Sequence, residues 1–183
     1  KNFSQGLQHY KKAEYQLVLL PHAELRNRVS SVRKEFAEKY KLTPGYSRGN
    51  AHMTLVKFTQ LEMMEERIVS RLKTISMGFH PFKVELKDYG SYPSHSIFIN
   101  ITTKVPIQQL VKEIRSAQRL MKHGETEPHF LQEPNFLIAR KLLPWQYEQG
   151  WLEYSHRSFT ARFIADSLLL LKRKDGERRW QVA

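Results

Sequence analysis

Hydrophobic residues recur every three or four positions in four stretches of the chain, and this period predicts four amphipathic helices, each with one buried stripe. The predicted helices start at or near Glu24, Leu61, Pro106 and Pro144. Proline suits the first turn of a helix, where its missing N–H would have no partner anyway. In the fourth helix the spacing of three aromatic residues places them in the core: Trp145, Trp151 and Tyr154.

Alternating apolar and polar residues, or short β-branched runs between turn signals, predict strands in the rest of the chain. The predicted strands span residues 15–20, 51–58, 82–87, 97–101, 135–141, 159–164 and 167–173. Asp175-Gly176 is a strong hairpin turn, so we expect the segment around Trp180 to fold back on the last strand.

The order of these elements repeats. Strand, helix, strand, helix, strand, strand describes residues 15–102, and the same order starts again at Ile97. We therefore expect an α+β fold of two lobes related by a pseudo-two-fold axis, each an antiparallel sheet with helices on its outer face, joined around a central cleft. The strands 51–58 and 135–141 should face each other across that cleft, each as the inner strand of its lobe. Residues 1–183 then form one bilobal domain, with 1–13 as a loose arm.

Composition narrows the class of protein. With 40% hydrophobic and 26% charged residues, the 183-residue chain reads as an ordinary globular domain. No apolar run approaches the ~20 residues that span a bilayer, so no membrane is expected. There is no cysteine, which fits a reducing compartment, and we expect a cytoplasmic monomer.

Charge adds a candidate partner. Thirty Lys+Arg against eighteen Asp+Glu give a net charge of +12. Such an excess attracts polyanions, most commonly nucleic acid, through counterion release and long-range steering. The alternative is that the charge serves solubility alone.

His52 and Thr54 are the first candidates for chemistry. They lie two residues apart in the predicted strand 51–58 and so share a face, while Met53 and Leu55 point into apolar packing. A histidine beside a hydroxyl on a rigid strand can exchange a proton and bind a phosphate or carbonyl oxygen. The alternative is a half-buried strand with an incidental histidine, because H-x-T is a very short pattern.

Three segments together carry a resemblance. They are Leu17-Val-Leu-Leu-Pro-His-Ala-Glu-Leu25, His52-Met-Thr-Leu55 and Pro134-Asn-Phe-Leu-Ile-Ala-Arg140. The first is similar to the opening strand and helix of the 2H phosphoesterase superfamily, in particular its 2′-5′ RNA ligase-like (LigT-like) branch. The second matches the first of that family's two His-x-Thr/Ser motifs. The third stands where the family has Pro-His-apolar-Thr-apolar-Ala-Arg, and the likeness extends from about Tyr15 to the C-terminus.

The resemblance implies a pair of histidines. One imidazole removes a proton from water or a ribose hydroxyl, and the other protonates the leaving oxygen of a 2′,3′-cyclic phosphate or 2′-5′ phosphodiester. Histidine suits both roles because its pKa lies near neutrality. The hydroxyls of the two motifs hold phosphoryl oxygens, and neither a metal nor a cofactor is implied.

The second motif departs from the family. Asn135 replaces the second histidine and does not titrate in this range, and Leu137 replaces the second hydroxyl. Loss of one general acid or base costs about 10²- to 10⁴-fold in rate. The sequence therefore predicts a degenerate active site with impaired two-histidine catalysis.

Other residues extend the candidate site. Arg140 could clamp a phosphate, yet strict alternation places it on the face opposite Asn135 unless a bulge re-aims it; otherwise Lys141 is on the correct face. His129 could approach the groove if its segment doubles back. In the loop before the first motif, Tyr46 could stack on a base while Arg48 contacts the backbone.

Three functions stay open at this point. The first is a protein that binds RNA or a nucleotide with a cyclic or 2′-5′ phosphate and has little two-histidine activity. The second is a working 2′,3′-cyclic phosphodiesterase or 2′-5′ RNA ligase that uses His52 with an unidentified second acid or base. The third is a structural or protein-binding domain with a vestigial groove.

Overall fold

The computed structural model describes residues 10–43 and 51–183. Within them the chain forms nine strands and five α-helices. The strands are β1 Lys12–Leu19, β2 Met53–Leu61, β3 Phe82–Tyr92, β4 Ser96–Ile101, β5 His129–Phe130, β6 Asn135–Ala139, β7 Thr160–Ala165, β8 Leu169–Lys174 and β9 Gln181–Val182. The helices are α1 Ala23–Lys39, α2 Glu65–Met77 (after a 3₁₀ turn, Glu62–Met64), α3 Val105–Arg115, α4 Gln118–Met121 and α5 Pro144–Tyr154.

The strands form two antiparallel sheets, which confirms the predicted α+β class. One sheet has the order β5-β2-β1-β8-β9 and the other the order β6-β4-β3-β7. Each half of the chain contributes one pair of neighbouring strands to its sheet, β1 and β2 in the first half and β4 and β6 in the second. The strand that completes the sheet comes from the other half, because β8 pairs with β1 and β3 pairs with β4. The order β2-β1-β8 in one sheet therefore corresponds to the order β6-β4-β3 in the other.

Helix α1 connects the two sheets. It follows β1 of the five-stranded sheet but packs on β6 and β7 of the four-stranded one. Its stripe of Leu25, Val29 and Phe36 is buried, as its period predicts. Gly150 of α5 allows close packing here, because a Cβ at that position would lie 2.7 Å from the Phe36 ring. This packing fixes the polar residues of α1 beside β6.

Several predicted boundaries differ from the structure. Strand β2 begins at Met53, so His52 lies immediately before it, and it extends to Leu61, which pairs with Lys12. Leu61 is therefore a strand residue, although it was predicted to start the second helix, and Lys12 is in β1, although it was predicted in the loose arm. Residues 1–9 of that arm lie outside the described residues. Trp145, predicted in the core, is 41% exposed.

The position of the second motif strand also differs. Strand β2 is an inner strand, but β6 is at the edge of its sheet, so the prediction of two inner strands was wrong for β6. Strand β5 was not predicted, because two residues are too few to show a period of alternation. It pairs with β2 and takes the edge position that β2 would otherwise occupy.

Candidate functional site

Gln16 joins the two residues of the first motif. Its Oε1 atom lies 3.2 Å from His52 Nε2 and 3.2 Å from Thr54 Oγ1. Gln16 is on β1, next to β2, and its half-buried side chain lies between the buried Tyr15 and Leu17. The amide thus holds the imidazole and the hydroxyl together on one face of the sheet.

The environment of His52 favours its neutral form. Burial first, and then the positive charge of Arg33, hold the pKa of His52 below its ordinary value. His52 Nδ1 is buried and has no hydrogen-bond partner among the described residues. An orphaned buried N–H is rarer than an orphaned acceptor, so the proton fits on Nε2, where it can be donated to Gln16. A neutral imidazole can accept a proton, as a general base must.

Strand β2 contains a β-bulge next to the first motif. Thr54 pairs with Val18 of β1, and Val56 pairs with the preceding residue, Leu17. Leu55 is therefore an extra residue with no direct partner on β1. Leu55 and Val56 are both buried although they are adjacent, as expected where a bulge resets the alternation of side chains.

Strand β6 contains the same bulge at the corresponding place. Leu137 pairs with Phe98 of β4, and Ala139 pairs with the preceding residue, Ile97. Ile138 is the extra residue, and it and Ala139 are both buried. In each strand the extra residue directly follows the third residue of the aligned motif segment. The two backbones therefore match position by position.

The bulges also affect the basic residues that follow the motifs. After the bulge in β2 the alternation resumes one residue later, so the exposed Lys57 falls on the face of Thr54. Arg140, also exposed, directly follows the end of β6, and Lys141 after it has a positive φ of 52°. The approach of either residue to the groove stays a prediction.

Asn135 lies in a polar part of the four-stranded sheet. Its Nδ2 donates to the Tyr92 hydroxyl at 3.2 Å and to the Glu133 carbonyl at 3.3 Å. Asn100 of β4 is its direct cross-strand partner. The position aligned with His52 thus has hydrogen-bonding groups without an imidazole.

Arg33 of α1 connects the two motif regions. Its Nε donates to the carbonyl oxygen of Leu137 at 2.8 Å, and its charge acts on His52. Burial lowers the pKa of Arg33, but a guanidinium in a protein stays protonated. A half-buried positive charge between the two regions is suited to bind an anion such as phosphate.

Other predicted residues are placed differently. Tyr46 and Arg48 lie outside the described residues, so their contribution stays a prediction. The segment around His129 does double back: His129 in β5 pairs directly with Lys57 and shares its face of the sheet. The described residues contain no group of three or more His, Asp or Glu placed to hold a metal ion. No helix among them is long and apolar enough to span a bilayer.

Gln16, Arg33 and Tyr92 are the parts of the site that the motifs did not identify. Gln16 lies on the polar side of β1 together with Glu14, so the sequence pattern did not distinguish it. Arg33 lies four positions after Val29 and three before Phe36, on the buried stripe of its helix, and this break in a hydrophobic pattern was the available signal. Tyr92 gave only the weak signal of a loop aromatic.

Comparison with known proteins identifies the family. Residues 21–177 match the family described as the 2′-5′ RNA ligase superfamily. Because the match covers most of the chain, the protein belongs to this superfamily, the 2H phosphoesterases.

Individual relatives agree with that assignment. A Staphylococcus aureus (strain Newman) protein named "Putative phosphoesterase" is 24% identical over 173 residues, which cover 91% of this chain and 94% of the relative. The crystal structure of E. coli LigT complexed with 3′-AMP superposes with a TM-score of 0.56 at 14% identity, over 94% of this chain and 95% of LigT. LigT complexed with phosphate gives a TM-score of 0.52 at 12% identity over the same shares. At such identities the structural likeness shows the shared fold.

Proposed function

We propose that this protein binds RNA or a nucleotide through its phosphate, and that its two-histidine catalysis is impaired. The observation that carries the proposal is the pair of matched bulges. They align Asn135 with His52 and Leu137 with Thr54 by backbone register, independently of the sequence motif. The site then has one imidazole and one motif hydroxyl where two of each would be needed.

Each residue has a distinct part in this proposal. Arg33 neutralises the phosphate, while the His52 Nε2–H and the Thr54 hydroxyl, which both point at Gln16 Oε1, donate to phosphate oxygens in its place. Lys57 and Arg140, one beyond each bulge, contact neighbouring phosphates of a longer strand. Asn135 donates hydrogen bonds but cannot exchange a proton near neutral pH. Proton transfer at one of the two ends of the reaction is therefore missing.

Relatives and charge support the same class of ligand. E. coli LigT was solved with 3′-AMP and with phosphate, and both ligands carry a phosphoryl group. The net charge of +12 favours a polyanion such as RNA over a neutral partner. The charge also disfavours the structural role, which requires no polyanionic partner.

The second candidate is an active 2′,3′-cyclic phosphodiesterase or 2′-5′ RNA ligase. The lowered pKa of His52 favours it, because a neutral imidazole is ready to act as the base. Its second acid would come from another group or from bound water. Turnover that depends on His52 separates this candidate from the first.

One set of titrations tests both. The purified protein is titrated with a short oligoribonucleotide ending in a 2′,3′-cyclic phosphate, and turnover of 2′,3′-cyclic AMP is followed in parallel. His52→Ala should weaken binding about 10- to 100-fold, the range of a hydrogen bond to a charged group. His80→Ala removes an exposed histidine outside the site and should change nothing.

Salt dependence separates a phosphate interaction from an apolar one. With three cations at the phosphates, log Kd should rise with log salt with a slope of about 2 for single-stranded RNA. Salt-insensitive binding, or none, would favour the structural role. Turnover well above that of His52→Ala would favour the active enzyme.

A further inference from the structure

The two hydrogen bonds of Asn135 fix the orientation of its amide. The Glu133 carbonyl can only accept, so the atom 3.3 Å from it must be the nitrogen of the amide. The same nitrogen lies 3.2 Å from the Tyr92 hydroxyl, which must therefore accept as well. Because the Tyr92 oxygen accepts from Asn135, its own proton points elsewhere. No hydrogen bond that Tyr92 donates is formed within residues 10–43 and 51–183.

The ring of Tyr92 is held along the face of the four-stranded sheet. It lies 4.8 Å from the ring of Phe98 and 5.8 Å from that of His95, on which it stacks. Gly90 allows Asn100 and Phe98 to pack closely over its backbone on this face, because a Cβ there would lie 2.5 Å from Asn100 Oδ1 and 2.6 Å from the Phe98 ring. The ring can therefore extend from the end of β3 until its hydroxyl reaches Asn135. It is 37% exposed.

This places a hydroxyl where the second motif has lost one. Phe98, against which Tyr92 packs, is the direct cross-strand partner of Leu137. In the five-stranded sheet the corresponding position is occupied by Thr54 with its own hydroxyl. We propose that Tyr92 replaces that hydroxyl: held by Asn135, its O–H donates to a phosphoryl oxygen of the bound nucleotide. The inference rests on the proposed nucleotide binding.

The assignment changes the meaning of Asn135. The asparagine becomes a positioning residue that fixes the acceptor side of the tyrosine, and the phosphate contact passes to the phenol. A base-stacking platform is the competing use of an exposed tyrosine. The two uses differ in which part of the nucleotide they read: a hydroxyl donor reads the phosphate, and a stacking ring reads the base.

Calorimetric titration with 3′-AMP and with adenosine, which lacks the phosphate, separates the two uses. Tyr92→Phe keeps the ring and removes the hydroxyl. It should weaken 3′-AMP binding about tenfold or more, the low end for a hydrogen bond to a charged group, and leave adenosine binding unchanged. Tyr147→Phe is the matched control, because Tyr147 is a half-buried tyrosine whose hydroxyl pairs with Ser91 at 2.9 Å.

A double-mutant cycle tests the positioning by Asn135. Asn135→Ala should weaken 3′-AMP binding in the unsubstituted protein and have little further effect in Tyr92→Phe, since both substitutions remove one contact. Equal 3′-AMP affinities of Tyr92→Phe and Tyr147→Phe would overturn the inference, as would an equal loss for adenosine and 3′-AMP. If the unsubstituted protein binds no 3′-AMP, the proposed function itself fails, which is a distinct result.

Discussion

The two motif regions have the same backbone and different chemistry. In the first region the imidazole of His52, just before β2, and the hydroxyl of Thr54 both contact the amide oxygen of Gln16 on β1. On β6 and β4, at the same register and beside the same bulge, the motif positions hold an amide and an isobutyl group. The backbone geometry of the two motif regions is thus the same although the side chains at the motif positions differ. Strand register is set by main-chain pairing and the core face, so the exposed face can change freely.

The helices that follow the two opening strands differ in a similar way. Helix α1 follows β1, and its Arg33 bonds the backbone of β6 from a half-buried position. Helix α3 follows β4, and its exposed Arg115 stacks 4.4 Å from the ring of Phe130 in β5. One arginine is therefore placed to meet an anion beside the site, and the other covers an aromatic ring at the sheet edge. The asymmetry of the site extends to its supporting helices.

Restoring the second motif should have the largest effect. Asn135→His with Leu137→Thr should raise turnover of 2′,3′-cyclic AMP by about 10²- to 10⁴-fold, since it returns the missing acid or base to a matched backbone. Initial rates measured near pH 7 give the comparison. The same two changes in a His52→Ala background should give no gain. If the two substitutions do not increase the rate with His52 present, position 135 does not correspond to a second catalytic position, and the hypothesis based on the matched bulges is wrong.

Removing the charge between the two regions should have the next largest effect. Arg33→Leu should weaken binding of 3′-AMP about 10- to 100-fold and raise the pKa of His52, which stays below its ordinary value because burial is the larger cause. Calorimetry and NMR titration of the imidazole measure the two quantities.

The matched control for that change is Arg28→Leu. Arg28 is on the same helix and also donates to a backbone carbonyl, that of Thr160 at 3.0 Å, but it is exposed. It should leave both the affinity and the titration of His52 unchanged. Equal losses from the two variants would mean that arginines on α1 act through the stability of the helix.

The smallest expected effect is on stability. The pKa of His52 is lower in the folded protein than the ordinary value near 6.5, so between these two pKa values the unfolded chain binds a proton more readily than the folded one. The contribution of His52 to the free energy of unfolding is therefore complete above about pH 6.5 and is lost as the pH falls through the folded pKa. Urea midpoints at pH 7.5 and 5.5 should differ more for the unsubstituted protein than for His52→Gln. His80→Gln should retain the full difference; a variant of His52 that does the same contradicts the assignment.

Periodicity was sufficient to predict most of the fold. The α1 stripe and the alternation of β3 and β4 come directly from local spacing, and the repeated order of elements predicted the two sheets. The exchange of β3 and β8 between sheets could not be predicted, because pairing between distant strands leaves no local pattern. The edge position of β6 could not be predicted either, because α1 packs on this strand and gives it the apolar pattern of an inner strand.

The site was predictable only where a motif marked it. His52 and Thr54 were visible as a pair, and Asn135 was visible through its frame of neighbours. The bulge at Ile138, two residues before Arg140, is a feature that strict alternation cannot predict. Gln16 reaches the site by pairing between strands, and its position required the register.

The exchange of strands also governs how the molecule can be assembled. Ala13 in β1 pairs with Lys174 in β8. During synthesis, β1 and β2 are therefore made first, but one edge of β1 has no neighbour until β8 has been synthesised. A shortened chain ending before β8 would leave β1 with a bare edge, ready to pair with another chain. We expect such fragments to aggregate. We also expect the two motif regions to fold together, because each sheet contains strands from both halves of the chain.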